Sequence, residues 1–227
     1  DYVNVSINQR QKDPITFKIA EAFKERKIDE AFQIIKDNEL LTTGKTTDEV
    51  NKKLVDDYMK DTSKTKIILA STNNEVNSIN DMVKERLKEE RIKNNQPIHK
   101  EVKILIELNG NEYERSFAKE DEIIFTKNMK VDKSLKLLNG ERGKIVNIHN
   151  KNLTFEIERI DDNQKIVKTQ HTINTDDFNC FNHSYACTTH KSQGKTVDTT
   201  FVKGSSNSNA NSAYVNFSRQ KTKVALY

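Results

Sequence analysis

The residue types best able to do chemistry gather in two runs near the C-terminal end of the sequence. The first, Tyr185-Ala-Cys-Thr-Thr-His-Lys-Ser-Gln-Gly-Lys-Thr-Val-Asp198, sets six polar residues in a row, Thr188 to Gln193, ahead of a glycine. Read as a helix, it puts Thr189 and Gln193 on one face, with short polar groups suited to phosphate and sugar contacts. His190 can stack on a base, and Gly194 ends the helix and lets backbone approach an anion. The second run, Ala213-Tyr-Val-Asn-Phe-Ser-Arg-Gln220, reads as a helix anchored by Tyr214, Val215 and Phe217 that carries Arg219. A guanidinium so placed suits a transferring phosphate, with Arg10 a second candidate for the same anion. The chemistry these residues suggest is a grip on single-stranded nucleic acid joined to a sensor of nucleotide phosphate.

Two other patterns fail on spacing. The Gly-Lys-Thr triplets at Gly44 and Gly194 would each need an earlier glycine, and Glu39 and Thr189 stand at those places. No anion-cradling loop forms without it. Cys180, His183, Cys187 and His190 are too close together for a zinc finger, so no metal site is expected.

The elements that must position these residues are an α/β set with a β-rich interruption. Asp13-Pro14 signals a helix start. Ile15, Ile19, Ala22 and Phe23 keep helical spacing, and Ala31, Ile34 and Ile35 mark a second helix. Thr46-x-x-Glu49 and Thr72-x-x-Glu75 are capping boxes, and Lys66–Ala70 between them is a buried strand. After Pro97 the period shortens to alternation. Val102–Leu108 and Glu112–Phe117 flank Asn109-Gly110 as a hairpin, and further strands follow at 123–125, 144–148, 153–157 and 165–171. The expected division is residues 1–97 as the first part of a parallel-sheet lobe, 98–178 as an inserted small barrel, and 179–227 as the remainder of the lobe.

Composition bounds the rest. At 227 residues, with 34% hydrophobic and 32% charged residues, the chain is globular and carries no membrane-length apolar stretch. Two cysteines and no tryptophan argue against a disulfide scaffold and for a reducing, cytoplasmic setting. From Lys165 onward eight Lys/Arg face three Asp/Glu, so the positive excess sits with the two polar runs. The absence of an initial Met suggests a piece of a longer protein.

The first run closely resembles motif V of superfamily-one helicases, nearest the RecD-like helicases and the helicase portion of TraA/TraI conjugative relaxases. Ala213–Arg219 resembles their motif VI, and Gln9-Arg10-Gln11 their motif IV. Phe117-x-x-x-Asp121 to Asn128 and Asn139-Gly140-x-x-Gly143 are similar to the segment leading into that family's inserted barrel. The resemblance covers nearly the whole chain. It implies a RecA-like lobe interrupted by a small β-barrel, with Arg10 and Arg219 reaching the ATP γ-phosphate and Gly194 and Gln11 near the nucleotide. Thr189, His190, Lys191 and Gln193 would face single-stranded DNA. ATP and Mg²⁺ would be held mainly by a first motor lobe elsewhere in the parent, next to a relaxase domain. Ser184, Glu120, Asn216 and Gln220 depart from the family pattern. A different class stays open: a non-catalytic single-strand-binding or docking module from a vestigial helicase unit.

Overall fold

The computed structural model describes residues 12–131, 135–161, 163–192, 196–205 and 209–227. Expectations placed on Arg10, Gln11, Gln193 and Gly194 lie outside them. In chain order come α1 (Pro14–Lys24), α2 (Ile28–Asp37), α3 (Thr47–Lys60), β1 (Lys66–Ala70) and α4 (Asn73–Lys93). Nine strands follow: β2 (Val102–Leu108), β3 (Asn111–Phe117), β4 (Glu122–Phe125), β5 (Met129–Lys130), β6 (Lys136–Leu137), β7 (Arg142–His149), β8 (Asn152–Ile160), β9 (Ile166–Asn174) and β10 (Phe181–His183). The chain closes with β11 (Ala186–Thr188), a 3-10 turn (His190–Ser192), β12 (Val197–Val202), α5 (Ala210–Asn216) and β13 (Gln220–Leu226). Two compact units result: residues to Val83 together with Ala186–Tyr227, and Lys84–Tyr185.

Local chemistry starts the helices of the first unit. The Asp13 carboxylate accepts the Thr16 N–H at 2.8 Å, with Pro14 in the first turn of α1. At α4 the cap is reciprocal: Thr72 Oγ1 accepts from the Glu75 N–H, and Glu75 Oε2 accepts from the Thr72 N–H. The sheet runs β11-β1-β12-β13, parallel throughout. Central β1 buries Ile67, Ile68, Leu69 and Ala70 at 1% exposure or less. A strand apolar on both faces needs layers on both sides. Neighbouring residues of β12 show where the layers are, because successive side chains point oppositely. Phe201 meets Tyr58 of α3 at 5.6 Å between ring centroids, whereas Val202 joins Ile19, Phe23, Phe217 and Val224 in a core shared with α1 and α5. This is the RecA-like α/β arrangement.

In the second unit β10-β4-β7-β8-β9 form an antiparallel sheet, with β2–β3 and β5–β6 as separate hairpins. The Asn109-Gly110 turn has φ of 54° and 84°, the left-handed pair that a tight hairpin of this hand demands. The Glu107 N–H donates to the Asn179 carbonyl at 3.0 Å, joining β2 to the segment entering β10. Sheet and hairpins enclose one core that includes Ile106, Phe117, Phe125, Leu137, Phe155 and Phe181, in the manner of a small barrel. The alternating segment read at 98–178 sits inside this unit, which also takes in the second half of α4 and β10. At one sheet edge β9 leaves Ile166 and Val167 exposed, with Ile160 of β8 beside them.

A polar knot lies within that unit. Asp121 accepts the Ala118 N–H at 2.8 Å, stands 3.2 Å from His183 Nε2 and 3.6 Å from Lys84 Nζ, and lies 3.5 Å from the Tyr185 hydroxyl. Burial pushes its carboxyl up, but His183, Lys84 and the Ala118 N–H together hold it below the usual carboxylate range.

Two outcomes follow for stability. Phe155→Ala removes a fully buried ring 4.9 Å from Phe125, so it is expected to cost about 3–5 kcal/mol in urea unfolding of the second unit. A depressed native pKa at Asp121 gives stability that is present above the unfolded carboxylate value and lost as pH falls through the native one. Denaturation below about pH 4 should therefore be eased in wild type, and Asp121→Asn should flatten that acid limb while lowering stability near neutrality.

Candidate functional site

The pairing of β1 fixes where the first run lies. Ile68, Leu69 and Ala70 register with Ala186, Cys187 and Thr188, and the Thr189 N–H donates to the Ala70 carbonyl at 3.3 Å. The Thr189 carbonyl then accepts the Ser192 N–H at 3.2 Å and the Ser192 hydroxyl at 2.6 Å. The Thr188 hydroxyl accepts the Lys191 N–H at 3.4 Å. Much of the polar run is thus engaged in closing its own turn. His190 remains exposed and Lys191 half-buried.

This corrects the helix read across Tyr185–Gly194: Ala186–Thr188 is a strand, and His190–Ser192 is a single 3-10 turn. Ala186 and Cys187 are both buried, and the Ala186 N–H donates to Asn80 Oδ1 at 2.7 Å. A strand covered on both faces shows no alternation by which to recognise it. Thr189 therefore lies outside any helix, between β11 and the 3-10 turn. It is 7% exposed, and its hydroxyl donates to Asn216 Oδ1 at 2.8 Å rather than facing solvent.

Arg219 also lies differently from the reading. Helix α5, opened by a capping box between Asn209 and Ser212, ends at its cap residue Phe217. Arg219 sits beyond it, where the chain turns into β13. Phe217 anchors the junction, its ring 5.2 Å from that of Phe23. Arg219 is half-buried; its Nε donates to the Val215 carbonyl and its Nη2 to the Ser218 hydroxyl, each at 3.1 Å. Its own carbonyl accepts the Val197 N–H at 3.1 Å, and Val197 pairs with Gln220 in the sheet. Val197 follows Gly194-Lys195-Thr196 directly, so the register of β12 with β13 sets the ends of the two runs side by side.

Charge around the site is mostly paired. Lys203, 8% exposed, meets Glu75 at 2.5 Å. Burial pushes Glu75 up, yet Lys203 and the Thr72 N–H hold it below the usual range. Lys221 and Lys223 lie near Asp198 and Asp61, and Lys168 of the other unit near Glu156 and Glu158. Ion pairs thus engage Lys168, Lys203, Lys221 and Lys223 of the C-terminal cations. Lys191 is a different case: burial lowers its pKa, with Cys187 pulling it part of the way back.

Sequence reasoning passed over Asn216 as a partner for Thr189, and Gln220, whose Nε2 donates to the Phe217 carbonyl at 2.7 Å. Both had registered only as departures from the family pattern, and buried polar residues in an apolar context were the available signal. Cys180 lies 3.7 Å from Glu107 and His183 bonds Asp121. Among the described residues no group of three or more His, Cys, Asp or Glu is arranged to hold a metal ion.

No protein-family model matches the chain. Among curated proteins it is 29% identical over 167 residues to a probable conjugal transfer protein TraA of Sinorhizobium fredii, covering 74% of this chain and 14% of that one. It is 27% identical over 228 residues to the conjugal transfer protein TraA of Rhizobium radiobacter, covering all of this chain and 19% of that protein. The chain thus spans less than a fifth of these relatives. Among solved structures it resembles Bacteroides Pif1 bound to single-stranded DNA, with a TM-score of 0.57, 15% identity, and 96% of this chain against 49% of that one. Bacteroides Pif1 helicase in complex with ADP-AlF3 and single-stranded DNA gives the same score at 16% identity, with 99% of this chain and 51% of that one. The chain is therefore similar in sequence to a part of the TraA conjugal transfer proteins, and it shares its RecA-like fold with the Pif1 structures.

Proposed function

We propose that the chain is the second motor lobe of an ATP-dependent DNA helicase within a conjugal transfer protein. The observation that carries this reading is the placement of Arg219. Neutral oxygens of Val215 and Ser218 orient its guanidinium, and its carbonyl is tied to Val197 at the end of the Thr188–Thr196 run. A guanidinium oriented in this way presents the planar, permanently charged geometry that suits an anion. The TraA relatives and the Pif1 fold agree with the assignment.

The chain's donors fit the terminal phosphate of a nucleotide but not the whole nucleotide. The sequence offers guanidinium groups and no Gly-x-x-x-x-Gly-Lys loop. ATP and Mg²⁺ would be held mainly by a first lobe in the parent, and phosphoryl transfer there would supply the free energy. Arg219 would stabilise charge on the γ-phosphate, with Arg10 as a second donor and Gly194 and Gln11 close to the nucleotide. His190 would stack on a base, and Lys191 and Gln193 would contact the strand's backbone and sugars. Closing and opening of the phosphate contact would change the grip on the strand, which converts hydrolysis into stepping. The partners are single-stranded DNA, the first lobe and a relaxase domain of the parent. No described helix is long and apolar enough to cross a membrane, and both described cysteines are free, which suits a cytoplasmic motor.

Oligo(dT) binding to the chain should be weak, tolerant of sequence and sensitive to salt. His190→Ala should cost about 1–3 kcal/mol, and Lys191→Ala should reduce the salt slope by about 0.7. Affinity that ignores both changes would remove the strand contact from this turn. By itself the chain should hydrolyse no ATP. Joined to its first lobe it should do so, and Arg219→Ala should lower kcat by about 10³–10⁵-fold. Steady turnover by the chain alone would contradict the two-lobe reading.

A further inference from the structure

The turn that presents His190 and the junction that presents Arg219 are joined by a buried hydrogen bond. Thr189, one residue before His190, donates its hydroxyl to Asn216 Oδ1 at 2.8 Å, and the two residues are 7% and 4% exposed. Asn216 is the last residue of α5. The carbonyl just before it, on Val215, accepts Arg219 Nε at 3.1 Å and the Ser218 hydroxyl at 3.1 Å, and that hydroxyl in turn accepts from Arg219 Nη2. A path that alternates hydrogen bonds with short covalent stretches, within Thr189 and from Asn216 to Val215, thus runs from the carbonyl that closes the 3-10 turn to the guanidinium. Every residue on it belongs to the first compact unit.

We propose that Thr189 and Asn216 are positioning residues that carry strand occupancy at the His190 turn to the setting of Arg219. The inference rests on the proposed function above and adds the route by which one site of the lobe informs the other. The link is suited to that task for physical reasons. Both partners are buried, so parting them leaves a hydroxyl and a carbonyl oxygen without water to replace the bond. Ser192, through its hydroxyl and N–H, grips the carbonyl of the same Thr189, so rotation of the turn about a bound base must move Thr189 as a whole. On the other side α5 is a short helix pinned at its end by Phe217, and displacement of Asn216 bears directly on the Val215 carbonyl. Two sites coupled through such a path need only one element with two settings, and on this proposal the end of α5 would be that element.

The test is made on the 227-residue chain with no nucleotide present. The Arg219 Nε–H resonance, assigned by its loss in Arg219→Lys, is followed by NMR as oligo(dT) is added, alongside the amides of His190 and Lys191. In wild type both sets should shift together. In Thr189→Val, which keeps the side chain's shape without its hydroxyl, the His190 and Lys191 amides should still shift while Arg219 stays put. Asn216→Ala should behave in the same way, and the double variant should be no worse than either single one. Thr189→Ser keeps the donor and should restore the response, which separates loss of the bond from loss of the fold. An Arg219 resonance that follows oligo(dT) undiminished in Thr189→Val overturns this inference alone, as does one that never moves while His190 does. Absence of any shift at His190 in wild type overturns the strand-binding reading and this inference with it.

Discussion

A short strand buried on both faces has no water to satisfy its backbone, so every N–H and C=O along both its edges must find another strand. In β1 those partners are β11 and β12, which the chain reaches only after building the whole Lys84–Tyr185 unit. The register chosen there, Ile68 opposite Ala186 and Phe201, decides every later position. It puts Thr189 at the end of β11 and starts β12 where Arg219 can bond Val197. Slipping β11 by one residue would turn Ala186 and Cys187 to the wrong faces and carry the 3-10 turn away from α5. The candidate site is therefore a product of strand pairing at long range, and its polar residues have their meaning only inside that pairing.

What sequence could reveal follows from this. Features encoded by neighbours in the chain were legible: the Asp13-Pro14 start, the Thr72/Glu75 box, the Asn109-Gly110 turn and the change to alternation after Pro97 all appear where residue chemistry puts them. Features encoded by partners far along the chain were not. Ala186–Thr188 is a strand because β1 lies beside it, and its own residues, polar on one side and small on the other, suggest a helix as readily. Arg219 looked helical because Tyr214, Val215 and Phe217 supply apolar spacing, yet α5 stops at Asn216, where the chain must turn to feed β13. The bond from Thr189 to Asn216 crosses 27 positions and depends on two registers at once. No local pattern announces such a contact, although an asparagine among Tyr, Val and Phe hinted that something buried there needed an acceptor.

Charged side chains are held in more than one way. Some charged groups that go inside are matched: Lys203 by Glu75, and Asp121 by His183 and Lys84. Such pairs cost desolvation and do little for stability on balance, but they fix which segments lie together. The Asp121 knot binds the loop after β3 to residues at both ends of the second unit, Lys84 and Tyr185. At Arg219 a carbonyl and a hydroxyl orient the guanidinium.

The border of the barrel-like unit carries a liability of its own. With β9 at the rim, Ile166 and Val167 offer an open backbone ladder and apolar side chains to any extended chain that passes, and Ile160 widens the sticky area. Lys168, set between Glu156 and Glu158, is the gatekeeper there. Such a guard is electrostatic and weakens as ions crowd around it. Concentrated preparations in high salt would favour rim-to-rim adhesion between copies, a form of self-association that involves neither the His190 turn nor Arg219.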